Sequence, residues 1–152
     1  MDYNRIANTK AYKYIQLAQT NADLFSKDPH TKVGAILLAE DFSRIISIGT
    51  NGFPRKMNDD TPSRWERPTK YKYVCHAENN AIANAARHGA STDNAIIVVT
   101  KFPCSNCTKL IIQAGIKKIY TLKPDYDSMV WGDDAKISKE MLDEVGIEIE
   151  CF

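Results

Sequence analysis

Residues 95–122 constrain the fold more than any other part of the chain. Ala95–Thr100 is an almost uninterrupted β-branched run, Cys104–Ala114 has helical spacing and is stopped by Gly115, and Lys118–Leu122 is a second short strand. A strand without polar alternation has both faces buried, as an interior strand of a helix-covered parallel sheet does. The three segments therefore predict a βαβ unit.

The flanking segments extend this unit in both directions. Tyr12, Ile15, Ala18, Ala22 and Phe25 recur at helical spacing and predict a helix over about Thr9–Phe25. Val33–Ala39 and Ile45–Gly49, separated by Glu40-Asp41-Phe42-Ser43, read as an antiparallel hairpin. Residues 51–72 carry three of the six prolines and both signs of charge, which predicts a long loop or insertion. Ala77–Arg87 is an alanine-rich helix ending at His88-Gly89, and Asp134–Val145 is a helix ending at Gly146. Ile147–Cys151 alternates as an edge strand does. The order αββαβαβαβ predicts one α/β domain over residues 1–152: a three-layer α/β/α arrangement whose mixed sheet has about five strands, with helices on both faces.

Charge narrows the function. The 152 residues hold 20 Lys+Arg and 19 Asp+Glu, a net charge of +1, so no global positive field favours long nucleic acid or an anionic membrane. A small ligand is the better expectation. The first ten residues, MDYNRIANTK, lack the apolar core of a signal peptide, and the longest apolar run, Val33–Ala39, is too short to span a bilayer. We therefore expect a cytoplasmic protein, whose four cysteines stay reduced and point to metal or redox chemistry before disulfides.

Cys104 and Cys107 stand three residues apart at a helix start, where both sulfurs share a face and the helix dipole favours thiolate. That spacing suits zinc, but it also suits a redox pair or two buried cysteines. His76 and Glu78 open the alanine-rich helix. His76 can add a nitrogen ligand, whereas Glu78, two positions on, is poorly placed to ligate and is free to carry protons. One His and two Cys are three protein ligands, the count of a catalytic zinc with an open position. Neither a redox pair nor a structural zinc site accounts for Glu78.

His76-Ala77-Glu78 followed by Pro103-Cys104-Ser105-Asn106-Cys107 matches the zinc nucleobase deaminase pattern. Ser26-Lys27-Asp28-Pro29, Thr31–Ala35, Gly49–Pro54, Tyr73–Glu78 and Phe102–Cys104 through Lys117 resemble the deoxycytidylate deaminase family along nearly the whole chain. Three positions depart: Thr50 stands where the family commonly has Tyr, Asn79 where it has Leu, and Lys101 where it has an apolar residue.

The resemblance implies zinc-dependent hydrolysis of dCMP to dUMP and ammonia, supplying thymidylate synthesis, with Glu78 as the proton carrier. It implies that the Ala77 N–H meets the pyrimidine O2, the Phe102 carbonyl takes the exocyclic amine, and Asn51 bonds the sugar 3′-hydroxyl. Ser26 and Lys27 become candidates for the 5′-phosphate, and Tyr126 for closure over the base. It also implies a homohexamer and regulation by dCTP, with Mg²⁺ on the nucleotide, and by dTTP, through a site that includes Thr50, Asn51, Gly52 and Asp59. Two alternatives stay open. One is action on dCTP; the other is a transfer-RNA base deaminase, because Arg64-Trp65-Glu66-Arg67 and Lys70-Tyr71-Lys72-Tyr73 interleave basic and aromatic residues. The balanced net charge argues against the second.

Overall fold

A computed structural model describes residues 3–152. The elements run α1 (Tyr3–Phe25), β1 (Gly34–Leu38), β2 (Ile45–Thr50), α2 (Pro62–Trp65), α3 (Lys70–Tyr73), α4 (Ala77–Arg87), β3 (Ile96–Val99), α5 (Ser105–Gln113), β4 (Lys118–Thr121), α6 (Gly132–Val145) and β5 (Glu148–Cys151). The strands form one mixed sheet in the order β2-β1-β3-β4-β5. β1 is antiparallel to both β2 and β3, whereas β3, β4 and β5 are mutually parallel. This is the expected hairpin joined to a parallel unit, with β5 on an edge.

Side-chain alternation along the strands divides the core into two layers. Ala35, Leu37, Ile97, Val99 and Ile119 face one way and pack with Ala81, Ile82 and Ala85 of α4, Ile111 of α5 and Leu142 of α6. Ile36, Leu38, Ile96, Val98 and Tyr120 face the other way, against Ala11, Ile15 and Ala18 of α1. Three helices therefore cover one face and one helix the other, giving the α/β/α layers that the sequence predicts.

Two departures have simple causes. α1 begins at Tyr3 rather than near Thr9: the predicted start rests on the apolar series that begins at Tyr12, and periodicity alone places a helix boundary less sharply than it places the helix. The 51–72 insertion is not all loop, because α2 and α3 each form one helical turn within it. Four-residue helices are too short for periodicity to show.

Backbone contact fixes both helix layers to the hairpin. A Cβ at Gly34 would lie 2.0 Å from the Ala18 carbonyl oxygen of α1, and one at Gly49 would lie 2.4 Å from the Ala77 carbonyl oxygen and 2.5 Å from the Ala81 nitrogen of α4. Only glycine permits either approach. The second holds the start of α4 directly on β2. Among the described residues no helix is long and apolar enough to cross a membrane.

Candidate active site

Two helix starts meet beside the C-terminal end of β3. His76 is the extended N-cap residue of α4, and Cys104 is the extended N-cap residue of α5, with Cys107 in the first turn behind it. Cys104 thus lies just outside the helix, and its sulfur accepts the Cys107 N–H at 3.5 Å. His76 Nδ1 stands 3.4 Å from Cys104 Sγ and 3.3 Å from Cys107 Sγ. All three ligand atoms fall within 4.8 Å of one another, and among the described residues no fourth His, Cys, Asp or Glu joins them.

These distances fit a metal. Tetrahedral zinc with usual bond lengths separates a nitrogen and a sulfur ligand by about 3.6 Å, and a set of two thiolates and one imidazole is a zinc set. The Cys107 thiol donates toward Cys104, and that bond, with help from His76, draws the Cys104 pKa down to about 4 against the opposing effect of burial. The same bond pushes the Cys107 thiol up. His76 is raised by its contact with Cys104, which outweighs burial. One thiolate is therefore preformed, and the second proton leaves when a metal takes both sulfurs.

Glu78 sits in the first turn of α4, 4% exposed. Burial raises its carboxyl above the ordinary carboxylate range, which favours a group that both takes and returns protons. Glu78, His76 and Cys104 line one cavity of about 400 Å³.

Of the substrate candidates, Asn51, Ala77 and Phe102 also line this cavity. Ala77 opens α4, so its N–H has no partner within the helix. Asn51 does not present a free amide. Its Nδ2 donates to Asp28 and to the Thr31 carbonyl, while its Oδ1 accepts from Ser26 Oγ and the Val33 N–H. Ser26 and Lys27 stand outside the lining. Ser26 is buried on Asn51, and Lys27 is exposed and paired with Asp59 at 2.8 Å and Asp60 at 3.7 Å. Tyr126 is also outside the lining, with its ring edge-on to Phe102 at 6.2 Å.

The regulatory candidates lie together along the hairpin exit. Gly52 pairs with Cys75 through both backbone groups, the Thr50 carbonyl accepts from Asn80 of α4, and Asp59 holds Lys27.

Sequence reasoning missed a buried ion pair in the cavity wall. Lys70 Nζ lies 3.0 and 2.8 Å from the two Asp28 oxygens, and both residues are almost fully buried. Burial pushes Asp28 up, but Lys70 and the His30 and Thr31 N–H groups outweigh it and leave the carboxyl below its ordinary value. The partners are 42 residues apart, and no local pattern links them. Asp134 was legible only as part of a helix start. In the structure it accepts the Ser105 N–H at 2.8 Å and the Ser105 hydroxyl at 2.6 Å, tying α6 to the residue after Cys104.

Replacing Cys107 with Ala removes one of the three candidate ligand atoms. Metal analysis of the purified variant should show zinc content at least tenfold below the parent chain, since losing a coordinating atom costs more than the tenfold to hundredfold typical of a supporting contact. Full zinc retention would reject the triad.

Comparison with known proteins agrees with this geometry. The family model for the cytidine and deoxycytidylate deaminase zinc-binding region matches residues 8–123. The chain is 39% identical to an uncharacterised deaminase of Aliivibrio fischeri over 140 residues, covering 91% of this chain and 90% of that one. It is 37% identical to human deoxycytidylate deaminase over 133 residues, covering 84% and 71%. The solved dCMP deaminase of cyanophage S-TIM5, in complex with dCMP and dUMP, superposes with a TM-score of 0.73 at 28% identity, covering 93% of this chain and 95% of that one. With two helix starts that bring His76, Cys104 and Cys107 together beside Glu78, the chain belongs to the cytidine and deoxycytidylate deaminase family of enzymes.

Proposed function

We propose that the chain hydrolyses dCMP to dUMP and ammonia with one zinc ion held by His76, Cys104 and Cys107. The observation that carries this reading is the convergence of those three ligand atoms, two of whose residues, His76 and Cys104, line one cavity with the buried Glu78 carboxyl. The cyanophage relative with dCMP and dUMP bound supports the choice of substrate. Zinc supplies electrophilic activation of water near neutral pH when bound there. Glu78 takes a proton from the attacking water and delivers it to N3 of the cytosine, then moves the remaining proton of the new C4 hydroxyl to the C4 amine, so that the C4–N bond breaks, ammonia leaves and the C4 carbonyl forms. The Ala77 N–H holds the pyrimidine O2 and the Phe102 carbonyl accepts from the amine, which fixes C4 for attack. Asn51, with its amide fully engaged, shapes the sugar end of the cavity through the loop it ties together.

An anionic substrate suits the cavity. Arg67, Lys101 and Lys123 line it, and none forms an ion pair with a described residue. Lys27 reaches the 5′-phosphate by exchanging Asp59 and Asp60 for phosphate oxygens, beside Ser26. Tyr126 closes over the base from its place against Phe102. The Gly52–Cys75 pairing links the hairpin exit to the residue before His76, which supports regulation by dCTP with Mg²⁺ and by dTTP through Thr50, Asn51, Gly52 and Asp59. The assembly is a homohexamer, and the enzyme works in the cytoplasm, where the free thiols at Cys104 and Cys107 persist.

One kinetic panel tests these points. Ammonia release is measured with dCMP, dCTP and deoxycytidine, and then with dCMP in the presence of dCTP and Mg²⁺ or dTTP. We expect dCMP to be used best. Lys27→Ala should raise its KM roughly tenfold or more, because charge-assisted contacts are lost, with little change for the nucleoside. dCTP should lower the apparent KM for dCMP and dTTP should raise it. Equal use of dCMP and deoxycytidine would reject the phosphate reading, and indifference to both triphosphates would reject regulation.

A further inference from the structure

Asn79 follows the proton-carrying Glu78 and turns toward the metal group instead of the cavity. Its side chain meets Cys107, with Sγ 3.7 Å from the amide oxygen, which is hydrogen-bond range for sulfur. Asn79 is only partly exposed, and Cys107 is fully buried. The Cys107 thiol is the donor here, its one proton shared between the Asn79 oxygen and Cys104 Sγ. Once Cys107 is a thiolate it has no proton to give, and the contact survives only if Asn79 presents its Nδ2–H₂ group. An Asn amide can do so by a half-turn about its last bond, which leaves its shape unchanged. The carbon and sulfur positions need not move. No other described side chain donates to Cys107 Sγ, since its remaining polar neighbours are the ligands His76 and Cys104 and the carboxylate Glu78.

We infer that Asn79 is a positioning residue for the zinc centre, donating an N–H···S hydrogen bond to the Cys107 thiolate. This inference rests on the zinc reading above. A donor of this kind withdraws charge from the thiolate, so the sulfur gives less electron density to the metal and the metal keeps more of its Lewis acidity. It also fixes the Cys107 rotamer on the side away from the cavity, where no substrate group can reach. Contacts of this type commonly hold metal affinity up by 10–100-fold.

The test compares the full-length parent chain with Asn79→Leu, which fills the space without a donor, and Asn79→Asp, which keeps the shape but offers only acceptors. Each is loaded with zinc and challenged with a chromophoric chelator, then loaded with cobalt(II) and read in the near-ultraviolet for its sulfur-to-cobalt charge-transfer band. Zinc release should rise about 10–100-fold in Asn79→Leu and more in Asn79→Asp, where a carboxylate faces the thiolate. The cobalt band should move to longer wavelength in both, because an unbonded thiolate gives up electrons more easily. Loss of packing alone would spare the isosteric Asp variant and leave the band in place. If Asn79→Leu fails to fold, the Asp variant alone decides. Unchanged release and an unmoved band in a folded variant would overturn the inference. A parent chain that binds neither zinc nor cobalt would instead reject the zinc reading on which it rests.

Discussion

Replacing Glu78 with Gln should lower turnover of dCMP by about 10²–10⁴-fold while zinc content and thermal stability stay near those of the parent chain. Gln keeps the volume and most of the hydrogen-bonding shape of Glu but cannot carry a proton. Glu78 is buried, its carboxyl is raised by that burial, and it lines the same cavity as two of the proposed ligands. It has no structural duty on a scale that would explain such a loss: the first turn of α4 is held by Gly49 and by the Asn80 bond to Thr50. The measurement is ammonia release at saturating dCMP alongside metal analysis of the same sample. Turnover within a few fold of the parent would sink the assignment of Glu78 as proton carrier, and loss of zinc would show instead that Glu78 helps build the metal group.

Lys70→Met should be the most damaging change to stability, about 3–5 kcal/mol, because it strands the buried Asp28 carboxylate without its cation. For a chain of this length that lowers the melting temperature by roughly 6–20 °C. The pH dependence follows from the sign of the Asp28 shift. Its folded pKa lies below the unfolded value of about 3.9. The pair's stabilisation is therefore fully present above that unfolded value and is lost as pH falls through the folded pKa. Melting curves of parent and variant should be far apart at pH 7 and draw together as pH falls below about 4, where a protonated Asp28 no longer needs Lys70. A constant gap across that range, or no gap at pH 7, would show that the pair contributes nothing specific.

The contrast between these two sites explains what a reader of the sequence can and cannot see. The His76–Cys104–Cys107 group was legible because its parts are local. Cys104 and Cys107 share one helix start, and His76 and Glu78 share another, so each half has a spacing that carries chemical meaning. The strands were legible for a related reason, since Ile96–Val99 and Gly34–Leu38 are buried on both faces and show no polar alternation. The Asp28–Lys70–Asn51 network was not legible. Its members come from the turn after α1, from α3 and from the end of β2, and each alone resembles a solvated polar residue. The family resemblance named Asn51 and Lys27 as ligand contacts. The structure adds that these side chains also have protein partners, a fact that depends on three-dimensional closure.

Gly49 has a consequence for how the enzyme can vary. The helix carrying His76 and Glu78 rests on β2 through main-chain atoms, and every residue type has those atoms. Its height above the sheet at that point is therefore set by backbone contact, so volume-conserving exchanges at Ile46 or Ile82 can alter packing with little shift of Glu78 relative to the cysteines of α5. Any side chain at position 49 would lift the helix by its own thickness. Sequence drift is thus cheap around the site and closed at a single point beneath it, so the supporting core can diverge widely while the reaction geometry stays fixed.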